Sequence, residues 1–183
     1  MKTLINLKRK DGLNIIAEIK ELDETYIHKI MTLQNNIIDN IDNKELYALT
    51  SENEFREIIN GKGKVIGCLT KNEELIALGV YGNFKYDKNN YGHDIDIKGE
   101  KLLTIGQIES IIVSEEYRGN RLQEKLCKIL EEIGKLNKTS IMCATVSPNN
   151  HFSLKNFLLL GYEVQKEKLK YGGMRRYILV KQL

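Results

Sequence analysis

Cysteine and histidine are scarce in this sequence, and neither is arranged to bind a metal ion. Cys68, Cys127 and Cys143 are odd in number and lack metal-ligand spacing. Each lies in an apolar stretch, so we expect buried free thiols rather than disulfides or a zinc site. The histidines are scattered, and none is followed at helical spacing by another histidine or cysteine. We therefore expect no metal site.

Long hydrophobic runs and an excess of one charge are also missing. No apolar stretch approaches the roughly 20 residues of a membrane-spanning helix, so we expect no membrane partner. The basic N-terminal residues are not followed by an apolar core of signal-peptide length, and a cytoplasmic protein is expected. The net charge is +3, with lysines interleaved among acids. Nucleic-acid binding usually requires a concentrated basic stripe, so we expect no nucleic-acid partner.

The composition is typical of a globular protein. Hydrophobic residues make up 42% and charged residues 29% of the chain. Its 183 residues are enough for one domain with a substantial core. We therefore expect a single domain over residues 1–183.

The hydrophobic pattern predicts alternating strands and helices. We predict helices at 23–41, 51–59, 121–136 and 150–160, with Asp23 and Ser51 as N-caps and Gly161 as a C-cap. Residues 83–101 are polar and unusually long for a connection, which predicts either a working lid or a loose, solvated loop. Strands are predicted at 13–19, 64–69, 74–81, 104–113, 141–146, 162–169 and 174–180. The order is β-α-α-β-β-β-α-β-α-β-β.

The segment 108–126 joins an apolar strand to a helix through a short polar turn. A helix N-terminus beside a strand end presents unpaired N–H groups to one spot, an arrangement typical of diphosphate binding. The turn resembles the acyl-CoA-binding loop of the GNAT superfamily of N-acyltransferases, which reads Gln/Arg-x-x-Gly-x-Gly/Ala. Arg118 takes the first position, but Arg121 and Gln123 stand where the family has small residues. With helical φ their side chains can point away, and Arg121 is either an extra phosphate donor or a solvated arginine.

A second block follows the strand predicted at 141–146. It resembles the later GNAT block, Pro-x-Asn-x-x-Ser followed by an aromatic residue and then Gly-Phe/Tyr. The matching residues are Pro148, Asn150, Ser153, Phe157, Gly161 and Tyr162. The resemblance implies an α/β (α+β) fold with one mixed, mostly antiparallel sheet, helices on its faces and two splayed central parallel strands.

The resemblance also implies acetyl-CoA as cofactor. The backbone around Ile111 and Val113 would pair with the pantetheine arm as an added strand does and polarise the thioester carbonyl. Asn150 would hold the arm or an ordered water, although simple helix capping is the alternative role. The cofactor-binding residues implied in this way are Ile111, Ile112, Val113, Arg118, Gly119, Asn120, Arg121, Leu122, Gln123, Asn150, Ser153 and Phe157.

Transfer of an acetyl group to an amine needs a neutral amine and a proton for the departing thiolate. Glu109 is the candidate base, since the run Ile-Glu-Ser-Ile-Ile-Val resembles Ile-Glu-Asp-Ile-x-Val of some antibiotic-acetylating relatives. Burial could raise its pKa, and the alternative is a carboxylate paired across the sheet with a lysine or arginine. Many family members have tyrosine where this chain has Phe157. The thiolate proton would then come from water, from Tyr117 or from Tyr162, or the step would go unassisted.

These features predict an N-acetyltransferase that moves an acetyl group from acetyl-CoA directly to a primary amine of a small molecule or protein. The alternative is a catalytically weak or inactive CoA-binding sensor of the same fold, which Phe157 and the missing glycines favour. A nucleic-acid binder is the third hypothesis, based only on the pI of about 8.6 and the many lysines. Acceptor recognition is expected on the first two helices and the 83–101 loop, whose acids and tyrosines could attract an amine. The late strands could also pair in a homodimer.

Overall fold

A computed structural model describes residues 2–183. They form one eight-stranded sheet with the strand order β1-β2-β3-β4-β5-β6-β8-β7. The strands are β1 (Lys2–Lys8), β2 (Asn14–Leu22), β3 (Gly63–Thr70), β4 (Leu75–Gly82), β5 (Ile105–Val113), β6 (Ile141–Val146), β7 (Glu163–Lys170) and β8 (Met174–Gln182). The helices are α1 (Ile27–Asp39), α2 (Glu52–Glu57), α3 (Leu122–Leu136) and α4 (His151–Leu159). Among residues 2–183, no helix is both long and apolar enough to cross a membrane.

The sheet is antiparallel except between β5 and β6, which confirms the predicted mixed architecture. This parallel pairing runs only from Ile105↔Ile141 to Ile108↔Ala144. Beyond it β5 continues to Val113, paired on its other side with β4. The two central strands therefore separate at Ile108, and the backbone edge of β5 facing β6 is left open.

Two hydrophobic clusters divide the faces of the sheet. On one, which we call the helix face, Ile108, Ala144 and Phe157 pack with the apolar residues of α3. On the other, the cavity face, Val80 and Ile112 pack with α1 and α2. Tyr91 and Cys143 form a smaller cluster with Ile105. The three cysteines are buried and free, as expected.

Local sequence signals predicted most elements to within a few residues. Ser51 and Glu54 form the predicted reciprocal capping box, and Asp23 caps a 3₁₀ turn that leads into α1. Strand β1 was not predicted. It is an edge strand that pairs only with β2 and buries little besides Leu7, so its alternation of apolar residues is weak.

The prediction of a loose, solvated loop at 83–101 is wrong. Two 3₁₀ turns, Tyr91–Ile95 and Gly99–Thr104, order this segment. Asn90 is buried and donates to the carbonyl oxygens of Lys85 and Leu102 at 2.6 and 3.0 Å. Asp94 pairs with Lys168 at 2.8 Å and with Lys170. Asp94, and Asp96 through Lys166, therefore bind lysines of β7 rather than their neighbours in the sequence, which ties the segment to the sheet.

Candidate functional site

A β-bulge in β5 points Glu109 to the cavity face. Tyr81 pairs with Ile108 and Val80 pairs with Ser110, so Glu109 is the extra residue between them. Ser110 shares a hydrogen bond with the Tyr47 hydroxyl on that same face. Bulges re-aim side chains in this way, and here one directs two successive polar residues towards the same face.

Glu109 is half-buried and held by uncharged donors. The Tyr91 hydroxyl donates to its Oε2 at 3.0 Å, and the Gln107 amide donates to Oε1. Burial raises the pKa of Glu109 above its ordinary value, although these two hydrogen bonds and the charge of Lys170 oppose the rise. Among residues 2–183, no lysine or arginine forms an ion pair with Glu109, because Lys170 binds Asp94. The structure thus contradicts the alternative of a cross-sheet ion pair.

A chain of hydroxyl groups leads away from Glu109. The Tyr91 hydroxyl shares a hydrogen bond of 2.6 Å with the Tyr171 hydroxyl, which in turn lies 3.0 Å from Oγ1 of Thr145. Tyr171 reaches this position from the turn between β7 and β8, and Thr145 lies on β6 just beyond its pairing with β5. Burial raises the pKa of Tyr171 to about 12. Its hydroxyl therefore keeps its proton at neutral pH.

These groups line a cavity of about 260 Å³ at the separation of β5 and β6. It is bounded by residues 46–50, by α2, by the 83–91 segment and by the start of α4. Glu109, Ile111, Asn150, Ser153 and Phe157, all predicted site residues, lie in its wall. Tyr91, Tyr171 and Arg176 also line it. The sequence pattern named Tyr91 only among the loop tyrosines that could attract an amine, and it did not single out Tyr171 or Arg176.

The turn before α3 has the open backbone that the loop resemblance implies. In the described residues, no protein group accepts a hydrogen bond from the backbone N–H groups of 119–124, and α3 has no side-chain cap. Gly119 adopts φ 87°, which glycine tolerates. Arg121 adopts φ 56°, in the left-handed region. The prediction that the helix includes this residue is therefore wrong. The backbone conformation suits the glycine of the family pattern, although this chain has arginine.

The side chains of this turn are mostly engaged by the protein. Asn120 accepts from the Lys8 N–H and donates to the Lys8 carbonyl, both at 2.8 Å, so it fastens the turn to β1. Leu122 is buried in the helix-face cluster. Arg121 is exposed and pairs with Glu124 at 2.7 Å, which matches the solvated alternative, and Arg118 is exposed. A ligand could therefore meet this turn mainly through its backbone.

Gln123 joins the two helices that flank the opening. Its amide donates to Oγ of Ser153 at 3.1 Å and accepts from Asn156 at 2.7 Å. Both partners belong to α4. A small residue at 123, as in the family pattern, would make neither bond.

Asn150 performs the capping role and keeps part of its amide free. Its Oδ1 accepts from the Ser153 N–H at 3.1 Å, which caps α4. In the described structure its Nδ2 has no protein acceptor, and the side chain lines the cavity. Capping and ligand binding are therefore compatible.

The remaining predicted cofactor residues lie along β5 and on α4. Ile111 and Val113 are half-buried on the helix face, whereas the Ile112 side chain is buried on the cavity face. Only the backbone of Ile112 could contact a ligand beside the strand edge. Phe157 is buried, with its ring edge-on to Tyr162 at 5.1 Å between centroids.

Neither tyrosine considered as the thiolate acid lies in the cavity wall. Tyr117 and Tyr162 are both buried elsewhere in the helix-face cluster. The hydroxyl group of Tyr162 has no hydrogen-bond partner within the described residues, and burial raises its pKa far above the ordinary value. Tyr171 is the tyrosine that lies close to both Glu109 and β6.

Comparison of the sequence with protein-family models and with curated protein sequences gives no match. Comparison of the structure with solved structures gives clear matches. A proposed acetyltransferase of Acinetobacter baylyi is 15% identical with a TM-score of 0.71, over 92% of this chain and 93% of that one. A GNAT-family acetyltransferase of Streptococcus pneumoniae is 13% identical with a TM-score of 0.67, over 91% of this chain and 99% of that one.

A third similar structure is a proposed acetyltransferase of Salmonella typhimurium, solved with its cofactor acetyl-CoA. It is 15% identical with a TM-score of 0.66, over 90% of this chain and 92% of that one. Identities this low establish the fold alone. The overlap covers nearly all of both chains in each case, and the splayed central strands are in the expected place. The chain therefore has the fold of the GNAT N-acetyltransferases.

Proposed function

We propose that this protein is an N-acetyltransferase that uses acetyl-CoA and acetylates a primary amine by direct transfer. The observation that supports this most strongly is the position of Glu109. Its carboxylate lies in the cavity where β5 leaves β6, without a cationic partner in residues 2–183 and with a raised pKa. A base poised in this way beside an open strand edge is what amine acetylation needs.

The residues present fit acetyl-CoA. The unbonded N–H groups of 119–124, at the positive end of α3, suit a diphosphate, and the open edge of β5 suits an extended pantetheine arm. The Asn150 amide could donate to the arm. When bound, acetyl-CoA would supply an acetyl thioester that an amine can attack, with release of the thiol.

Glu109 would make the amine reactive. A primary alkyl amine with a pKa near the lysine reference of about 10.4 is mostly protonated at neutral pH and must lose a proton to attack. Glu109 takes this proton directly or through one water molecule. Burial keeps its proton affinity higher than that of an exposed glutamate, against the opposing effect of its two hydrogen bonds, and this favours the transfer.

Tyr171 would supply the proton that Phe157 cannot. Its hydroxyl lies between Tyr91 and Thr145, on the side of the cavity formed by β6. The proton that Glu109 receives can return through Tyr91 to Tyr171 once the hydroxyl groups reorient. The hydroxyl chain would thus connect the group that removes a proton to the group that donates one.

Calorimetry with acetyl-CoA, followed by thiol release across a panel of primary amines, tests this function. We expect micromolar binding, weaker binding of acetyl-pantetheine because it lacks the nucleotide, and release of one thiol per acetylated amine. Absence of acetyl-CoA binding would refute the proposal. Binding without turnover on any amine would instead support the CoA-binding sensor, which the Phe157 ring and the Gln123 contacts to α4 favour.

A further inference from the structure

Arg176 is a buried arginine that faces the cavity without an acidic partner. Its side chain is 2% exposed, yet it belongs to the cavity wall. The guanidinium donates to the Arg175 carbonyl at 2.8 Å and to the Met174 sulfur at 3.2 Å, and no other acceptor contacts it in residues 2–183. Sulfur is a weak acceptor, so most of the hydrogen-bonding capacity of this cation is unused.

Two partly exposed lysines of the cavity wall are paired with acids. Lys170 binds Asp94, and Lys62 binds Glu57 and Asp87. Glu45 attracts Arg176 only from a distance, since the described residues contain no ion pair between them. Burial lowers the pKa of Arg176 below its ordinary value, which is the expected sign of an uncompensated buried cation. Such charges are costly unless a partner binds them.

Arg176 and Glu109 both line the cavity and are linked through the Tyr171–Tyr91 pair. The Arg176 guanidinium carbon lies 5.6 Å from the centre of the Tyr171 ring. The Tyr171 hydroxyl then contacts Tyr91, whose hydroxyl binds Glu109. The cavity therefore presents a carboxylate that can accept an amine proton, and a cation beyond the tyrosine pair.

We propose that the acceptor is an amino-carboxylate, an amine that carries a carboxylate group which Arg176 binds. The proposal rests on the acetyltransferase function and names its acceptor class. A guanidinium donates two parallel hydrogen bonds to a carboxylate, and this geometry fits an anion but not an amide. With its carboxylate on Arg176, the acceptor would place its amine in the cavity that Glu109 also lines.

The test compares amino acids with their carboxamides as acceptors. Wild-type protein is expected to prefer the carboxylate form by about 10- to 100-fold in kcat/KM. Arg176→Gln should abolish this preference, and Arg176→Lys should restore it in part. Arg175→Gln is the matched control, because the neighbouring Arg175 is exposed, binds Glu167 at 2.6 Å and should leave the preference unchanged.

Two results would overturn the proposal: equal use of both acceptor forms by wild type, or an undiminished preference in a folded Arg176→Gln variant. Equal use would leave the acetyltransferase function intact. If no amine is turned over, saturation-transfer NMR of the same acceptors decides the question, since binding does not need catalysis. Equal binding of acid and amide to wild type would then contradict the role of Arg176, whatever the variant's stability.

Discussion

The two sides of the opening between β5 and β6 are built from different groups. On the helix face, the available contacts are backbone ones: the N–H groups of 119–124 and the edge of β5. On the cavity face they are side chains, Glu109, Tyr91, Tyr171 and Arg176, which come from separate parts of the chain. Backbone contacts depend little on which side chains the turn carries. Contacts on the cavity face depend on every residue.

This difference explains where the chain departs from the family pattern. Arg121 and Gln123 replace small residues on the backbone side, yet the N–H groups remain open because both side chains turn to protein partners. On the cavity face, loss of the tyrosine at position 157 coincides with a tyrosine arriving from another element. We expect substitutions to have large effects on turnover at the cavity face and small effects on affinity at the helix face.

The largest effect should come from Glu109→Gln. The amide keeps the shape and can still bond Tyr91, but it cannot take a proton. We expect kcat to fall about 10²- to 10⁴-fold, with the Kd of acetyl-CoA unchanged by calorimetry. Glu57→Gln is the control, because Glu57 lines the same cavity but is exposed and binds Lys62. Unchanged turnover in the Glu109 variant would exclude it as the base.

The raised pKa of Glu109 predicts the pH dependence. Its carboxylate is the active form, so kcat/KM should rise about tenfold per pH unit below that pKa and level off above it. The folded state also binds this proton more tightly than the unfolded state. The free energy of unfolding should therefore fall as pH rises from the ordinary glutamate pKa through the raised one. Both slopes should vanish in Glu109→Gln, and a rate slope that persists would assign it to another group.

Tyr171→Phe should have a smaller effect, about tenfold on kcat, since a thiolate is already a good leaving group. The variant loses the hydroxyl shared with Tyr91 and Thr145 but keeps the ring under Arg176. A thioester donor with a more acidic thiol should restore its rate. Tyr86→Phe, in an exposed tyrosine, is the control. A loss that no donor restores would indicate a structural role instead.

The sequence predicted the elements of the helix face better than the side-chain contacts of the cavity face, for a physical reason. Helix periodicity, caps and the turn at 118–123 are local signals, and they predicted the bounds of the elements to within a few residues. The bulge at Glu109 depends on pairing with β4, and the contact between Tyr91 and Tyr171 joins residues far apart in the chain. No local pattern distinguishes these tyrosines from the exposed Tyr86.

The ion-pair partners of charged residues also depend on contacts between distant parts of the chain. In the sequence, the polarity and length of 83–101 allowed a loose, solvated loop. In the fold, Asp94 and Asp96 bind lysines of β7, and the segment becomes a wall of the cavity. Arg176 illustrates the converse: its neighbours in the sequence, Arg175 and Tyr177, give no sign that it is buried without an acid.

On the helix face, Gln123→Ala should tighten acetyl-CoA binding a few-fold. The substitution removes the hydrogen bonds that join α3 to α4 and leaves the small residue of the family pattern beside the open N–H groups. Each lost bond is worth about 1 kcal/mol or less, which limits the effect. Asn156→Ala breaks one of these bonds but keeps the side chain at 123. If both variants bind acetyl-CoA equally more tightly, the cause is the lost contact between α3 and α4 and not the room freed by the smaller side chain at 123.

The smallest effect concerns stability. Arg121 has the left-handed conformation, which costs a residue with a side chain about 1–2 kcal/mol, whereas glycine adopts it freely. Arg121→Ala loses the exposed pair with Glu124 and keeps the backbone strain, so it isolates the pair, worth about 0.5 kcal/mol or less. Arg121→Gly loses the same pair but relieves the strain. We expect the free energy of unfolding, measured with denaturant, to be about 1 kcal/mol higher for Arg121→Gly than for Arg121→Ala. This is the reverse of the order of glycine and alanine inside a helix. If alanine is the more stable, residue 121 is helical in solution, and the turn does not hold its N–H groups in the open arrangement that acetyl-CoA binding requires.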